Sequence, residues 1–419
     1  MELKHLLDLI DNRKDELYTL LSDLIKINSE SSGPFGNEEP LARYIYKLCT
    51  ELGLESEIYS PLELPDFENH PDYFPGRHLE NRYNVTGIWK GKEDRDELML
   101  MAHTDTLEIG NPENWKLDPI SGKIADGKIF GRGACDDKYA LATVLFIVKL
   151  LREEGFTPSA NLVFAAYCDE EQGGSHGAMA ACMKNPCKRI ISLDGVDGQI
   201  WHCASGGQVV RYRFHTKEPV DSAELTASAL PIVTDIIKTF KEKRRAELEA
   251  NRFYKGTIIP ETSLRFDEIR AGNNGMDRGV GQIVFTFYTD KTKDEIYKEF
   301  SELNALINER LAPLGIVGDG FTPDTRFFHY GYCEPDSEDI KILTEASKEA
   351  TGMDILVCGS CLSDLSVILK YGSPAAFGFG AGRDFSEEGG AHQPNEYITC
   401  ESLLNYTKNI AAYILRVLS

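Results

Sequence analysis

Apolar residues recur in two rhythms along the chain. Over residues 1–27, Leu6, Leu7, Ile10, Leu17, Leu20, Leu21 and Leu24 return at helical spacing between charged positions, which predicts an amphipathic helix. Short apolar runs follow at 97–102 (ELMLMA), 161–167 (NLVFAAY) and 189–193 (RIISL), each the pattern of a buried strand. Between them, residues 137–151 carry Leu141, Val144, Leu145, Val148 and Leu151 on one helical face, and 175–184 reads as a helix rich in Ala and Met. This alternation predicts an α/β fold with a central mixed, mostly parallel sheet.

The rhythm changes near residue 206. Residues 208–215 (QVVRYRFH) alternate apolar and polar, as a half-exposed strand does. A long amphipathic helix follows over 225–251, carrying a charged run at 241–245 that reads as a solvated face. Strands are expected near 257–266 and 282–289, and a second helix over 292–311. Two helices on a small, mostly antiparallel sheet make an α+β unit. After about residue 325 the first rhythm resumes: a helix at 337–350 stopped by Thr351-Gly352, strands at 354–357 and 374–379, and a closing helix at 403–418. The expected organisation is one discontinuous domain, 1–205 and 326–419, interrupted by an inserted unit at 206–325.

Composition fits that division. A chain of 419 residues exceeds the size at which one core stops growing. Hydrophobic content of 42% and charged content of 27% are ordinary for a globular protein. A formal net charge of −22 repels nucleic acid and anionic membranes, so neither is expected as a partner. No apolar run reaches the roughly 18 residues that span a bilayer. The charge-interrupted N-terminal stripe is unlike a signal peptide, and a cytoplasmic location is the expectation. The ten cysteines are scattered and disulfides are not expected; Cys135 and Cys168 read as small buried apolar residues rather than reactive thiols.

Candidate chemistry gathers at the ends of the predicted strands. His103 and Asp105 leave the first strand at its C-terminal edge, where open α/β sheets form ligand sites. Residues two apart on an extended chain point the same way, so the Asp105 carboxylate is placed to accept the second ring N–H of His103. Asp136 and Asp137 follow a glycine-rich turn at a helix start; they suit N-capping, or, as a pair, cation binding. Asp169, Glu170 and Glu171 follow NLVFAAY directly. Such a cluster is either a surface turn or a metal-bound group, since buried like charges repel. Asp194 ends the third strand, with Asp197 as a nearby competitor, and His392 sits in a glycine-rich loop before Pro394. Two imidazoles, three carboxylates and one spare Glu, without thiolate, suit two divalent ions of the zinc type sharing a carboxylate.

In combination, HxD, GRGACDDK, DEE, LDG and AHQPNE resemble the M20 metallopeptidases, in that family's order and over essentially the whole chain. The resemblance implies a di-zinc centre, with Mn or Co as possible substitutes. It assigns His103 and Asp194 to one ion, Glu171 and His392 to the other, and Asp136 as the bridge, with a cis peptide between Asp136 and Asp137. Glu170 is implied as the general base and Asp105 as the residue that orients His103. The inserted unit corresponds to a lid that also forms homodimers. Asp rather than Glu at position 194 points to the aminopeptidase and dipeptidase branch, acting on a dipeptide or short peptide. The alternatives are an N-acyl amino acid amidohydrolase or carboxypeptidase of the same family, and last a catalytically silent metal-binding protein. The chain departs from the family at Tyr139, where Gly is usual, and at Cys361-Leu-Ser-Asp364, where Gly-Gly-Thr-Asp is common. The turn at 216–222, where many members carry a lid His, is shortened, and His215 reads as part of the strand. Asn273 or Asn274 is a candidate substrate contact.

Overall fold

The computed structural model describes residues 1–216, 221–255, 257–272 and 279–419. Asn273 and Asn274, and most of the shortened turn at 216–222, lie outside the described residues. The chain divides into two compact units: Met1–Cys203 with Tyr332–Cys358 and Val367–Ser419, and Ala204–Gly331 with Gly359–Ser366.

In the first unit a mixed sheet runs in the order Gln199–Ala204, Phe377–Gly380, Arg189–Asp197, Glu93–His103, Ala160–Tyr167, Asn84–Trp89, Glu55–Tyr59. The segment from Phe377–Gly380 to Ala160–Tyr167 is parallel, and the flanking strands are antiparallel. Parallel pairing brings the C-terminal ends of these strands to one edge. Ile191 pairs with Leu100 and Ser192 with Met101, so Asp194 comes level with His103; His103 in turn pairs with Tyr167, just before the three acids.

Helix Lys138–Glu153 is buried on nearly every side, not only on the predicted stripe. It packs against Lys14–Ile25 and Cys400–Leu418 as well as the sheet, so its Phe146, Ile147 and Leu150 find apolar neighbours too. The N-terminal stripe forms two helices, Leu3–Asn12 and Lys14–Ile25, broken at Arg13. Leu6 and Ile10 of the first and Leu17, Leu21 and Leu24 of the second reach the core on different axes. All ten cysteines are free thiols, and Cys135 and Cys168 are buried.

The second unit holds an antiparallel sheet in the order Leu264–Ala271, Val280–Thr289, Gly206–Thr216, Ile316–Pro323. Helices Ser222–Ala250 and Lys293–Leu311 cover one face, burying Phe240, Ile237, Phe300 and Ile307 against Phe285 and Phe287. Asp221 caps the first helix through the N–H groups of Ala223 and Glu224. Thr292 and Glu295 form a reciprocal capping box on the second. His215 belongs to the strand Gly206–Thr216 and pairs with Asp319 at 2.8 Å.

Candidate metal centre

Five elements of the first unit deliver the site, the strand Arg189–Asp197 carrying Asp194. Strand Glu93–His103 ends on His103, which is fully buried. The turn before helix Lys138–Glu153 carries Asp136 and Asp137, joined by a cis peptide. Asp137 stands at the N-cap position but makes no side-chain cap; its Oδ2 accepts the N–H of His103 at 3.3 Å, tying the turn to the strand end. Glu170 and Glu171 follow Ala160–Tyr167, and His392 is held with φ 65° in the loop before Tyr397–Thr399.

The side chains converge. Asp136 faces an imidazole with each of its oxygens: Oδ1 lies 2.9 Å from His103 Nε2 and Oδ2 lies 3.0 Å from His392 Nε2. The same His392 nitrogen is 2.9 Å from Glu171 Oε2. Ligand atoms of His103, Asp136 and Glu171 all lie within 4.8 Å of one another. Asp194 stands outside that trio but within electrostatic reach of Asp136, His103 and His392. Glu170 is close enough to His103 to act on its charge.

Burial and the groups' mutual charges together set the charge state of this cluster. Burial pushes the Glu171 carboxyl up to about 7 and Asp194 up to about 6, in both cases aided by the nearby charge of Asp136. Burial opposes protonation of the imidazoles, but Asp136 and its acidic neighbours prevail. They raise His103 well above its usual value and His392 to about 10. Asp136 itself is held below the ordinary carboxylate range against its own burial, by the bonds to His103 and His392. Protons thus stand between donors that a divalent cation would bring together, and imidazole plus carboxylate without thiolate is a donor set suited to zinc and its first-row relatives.

The reading of Asp105 needs correction. His103 Nδ1 bonds the Asp105 backbone carbonyl at 2.9 Å, while the nearer carboxylate oxygen is 3.8 Å away. The Asp105 carboxylate is spent instead on the acid turn: Oδ1 accepts the N–H of Glu170 and Oδ2 that of Glu171, each at 3.1 Å. The two side chains do lie near each other, but the ring N–H is taken by the Asp105 backbone carbonyl and not by its carboxylate.

Several supporting residues escaped the sequence reading. Glu396, fully buried, accepts Arg132 Nη1 at 2.7 Å and the N–H of Cys135 at 2.9 Å. Arg132 also donates to the carbonyls of Glu108 (3.1 Å) and His392 (3.5 Å), which binds the Asp136 turn to the His392 loop. Tyr139, at the position where Gly is usual, donates to the carbonyl of Leu193 at 2.7 Å and accepts the N–H of Ala381 at 2.9 Å, so it steadies the strand end that carries Asp194. The sequence signal for Arg132 and Glu396 was their position inside the motifs, and for Tyr139 its departure from the usual Gly.

The profile of Peptidase family M20/M25/M40 matches residues 99–416, a span that contains every one of these site residues. The chain is 24% identical over 442 residues to the N-formyl-4-amino-5-aminomethyl-2-methylpyrimidine deformylase of Halalkalibacterium halodurans, covering 98% of this chain and 96% of that protein. Among solved structures it resembles a dipeptidase of Saccharomyces cerevisiae, with a TM-score of 0.75 at 14% identity over 99% of this chain and 98% of the other. Human carnosine dipeptidase 1 aligns with a TM-score of 0.70 at 15% identity, covering 99% of both chains. No helix among the described residues is long and apolar enough to cross a membrane. With a profile match over most of its length and a mixed α/β fold shared with these enzymes, the chain belongs to Peptidase family M20/M25/M40 and is a metallohydrolase.

Proposed function

We propose that this chain hydrolyses the peptide bond of a dipeptide or short peptide near its free N-terminus. Two zinc ions would be held by His103 and Asp194 on one side and Glu171 and His392 on the other, with Asp136 placed to serve both. One observation carries the reading. The two oxygens of Asp136 face two different imidazoles, at 2.9 and 3.0 Å, which is the disposition a bridging carboxylate requires. Bound divalent cations supply Lewis acidity, acidifying a water and polarising a carbonyl.

The chain's own residues do the rest. Glu170, fixed through its N–H by Asp105, is the group that takes a proton from the attacking water and returns it to the leaving amine. His103 is oriented by the Asp105 carbonyl, which keeps its Nε2 toward Asp136. His392 is a third exposed while His103 is buried, so the substrate approaches from the His392 side.

Asp194 and the dipeptidase structures support the peptidase assignment. A second reading, hydrolysis of an N-acyl or N-formyl amide, is favoured by the full-length relative named a deformylase. Zinc-reconstituted protein assayed on dipeptides beside N-formyl, N-acetyl and N-succinyl amino acids separates the two. Dipeptide turnover at least tenfold above the N-acyl series supports the first; the reverse order replaces it with the second. The inserted unit serves as lid and homodimer contact on this reading. Scattering with and without an inhibitor tests the lid role, and an envelope that does not change argues against it.

A further inference from the structure

Three acids follow the strand Ala160–Tyr167, and the proposed function uses only Glu170 and Glu171. The first of them, Asp169, is fully buried and stands in left-handed backbone at φ 65°. Its Oδ1 accepts Arg77 Nε at 2.8 Å and Arg82 Nη1 at 2.6 Å, with a further contact from Arg77 Nη2. Its Oδ2 lies 2.6 Å from His176 Nδ1. A Cβ on Gly174 would come within 1.9 Å of that same oxygen, so only glycine lets the following turn close over the carboxylate.

The partners reach outward from there. Arg82, with no exposed surface, also grips Glu38 at 2.7 Å and lies 3.6 Å from Asp105. Asp105 is the residue whose oxygens accept the N–H groups of Glu170 and Glu171. His176 Nε2 accepts the N–H of Phe74, and Arg77 bonds the carbonyl of Gly33, so two loops outside the motifs are tied into the same cluster. The Asp169 carbonyl accepts the N–H of Ser175 at 2.7 Å. The acid turn is therefore held from both sides. Asp105 holds the amides of the two working residues, Asp169 just before them is anchored by Arg77, Arg82 and His176, and Arg82 joins the two carboxylates.

Packing alone does not call for this arrangement. Apolar side chains of the same volume are often at least as stabilising as a buried ion cluster. We propose that Asp169 is a positioning residue of the metal centre: by holding Arg77 and Arg82 it fixes the turn that presents Glu171 and Glu170. It rests on the reading above, in which Glu171 is a ligand and Glu170 the base.

Asp169→Asn tests this, because it keeps size and removes charge. Metal-free wild type and variant are loaded with Co2+, and affinity is measured by chelator competition while the visible spectrum reports ligand geometry. The expected result is a fall of about 10–100-fold in affinity for one of the two cations, the range found when outer partners of metal ligands are removed. The spectrum should change with it, and cooperative unfolding of the metal-free chain should persist. Where Asp169→Asn does not fold, Arg77→Lys keeps the charge and loses the two-donor fork; it should move affinity and spectrum in the same direction by less. Wild-type affinity and an unchanged spectrum in the variants that fold overturn the inference, whatever their activity or stability. A wild-type chain that fails to take up two cations overturns the underlying reading instead.

Discussion

Replacing Arg132 by Met removes one side of a fully buried ion pair. Arg132 is 5% exposed and bonds Glu396 at 2.7 Å; once it is gone, the N–H of Cys135 at 2.9 Å is the donor left to that carboxylate. Met fills most of the space, so the cavity contribution is small. Breaking a buried pair from one side leaves an uncompensated charge and costs about 3–5 kcal/mol. Burial already raises the Glu396 carboxyl above its usual value, with Arg132 working against that shift. Without Arg132 the folded value climbs further, while the unfolded value stays near about 4.3. Between those two values the native state then binds more protons than the unfolded state, so stability falls as pH rises through the window. The Met variant should therefore lose about 3–5 kcal/mol against wild type at pH 8, and less as the pH is lowered and the carboxyl takes up a proton. Urea unfolding of both metal-free proteins at pH 8 and at lower pH measures this. A loss below about 1 kcal/mol at pH 8 would refute the reasoning, as would a loss that does not depend on pH.

Glu170→Gln should keep both cations while kcat falls by about 100-fold or more, because a general base contributes in that range; near-normal turnover with full metal content rejects Glu170 as the base. Tyr139→Phe takes the acceptor from the N–H of Ala381 and the short bond from the Leu193 carbonyl, and should cost about 1–3 kcal/mol in chemical denaturation, where no loss would mean that these bonds do not steady the strand. Cation uptake should release protons at pH 7, since His392 is raised to about 10 and Glu171 to about 7 in the cation-free chain. Metal affinity should accordingly rise with pH from 6 to 8. Titration calorimetry in buffers of different ionisation heat reads the protons, and a heat independent of buffer contradicts the expectation.

The strands and their acids were legible because a buried parallel strand must be apolar, and an acid at its end stands out against that background. Register then did what spacing along the chain does not: Ser192 opposite Met101 and His103 opposite Tyr167 bring Asp194, His103 and the acid turn to one edge. Edge strands were harder to read. Glu55–Tyr59 carries glutamates on its exposed side, and Ile316–Pro323 contains Gly318 and Gly320, so neither shows a strong apolar signal. The strand expected near 257–266 lies at Leu264–Ala271, because Thr257 to Ser263 close successive turns first. The second N-terminal helix kept the apolar stripe of the first, which hid the break at Arg13.

Within the site, ligand types were legible and their supports were not. Alternation along an extended chain placed Asp105 beside His103, but it does not tell that the backbone carbonyl rather than the carboxylate takes the ring N–H. Arg77, Arg82 and Glu396 act on residues more than eighty positions away, and no local pattern announces such pairing. Asp169 was visible as one of three acids, but its separate task became plain only with Arg82, Arg77 and His176 around it.

The most direct test is to count zinc bound to the metal-free chain in wild type and in His392→Ala. His392 Nε2 is the atom that meets both Asp136 and Glu171, at 3.0 and 2.9 Å. Two tightly bound ions are expected in the wild type and about one in the variant, together with loss of hydrolysis. A wild type that takes up none, or a variant that keeps both ions at unchanged affinity, would contradict it.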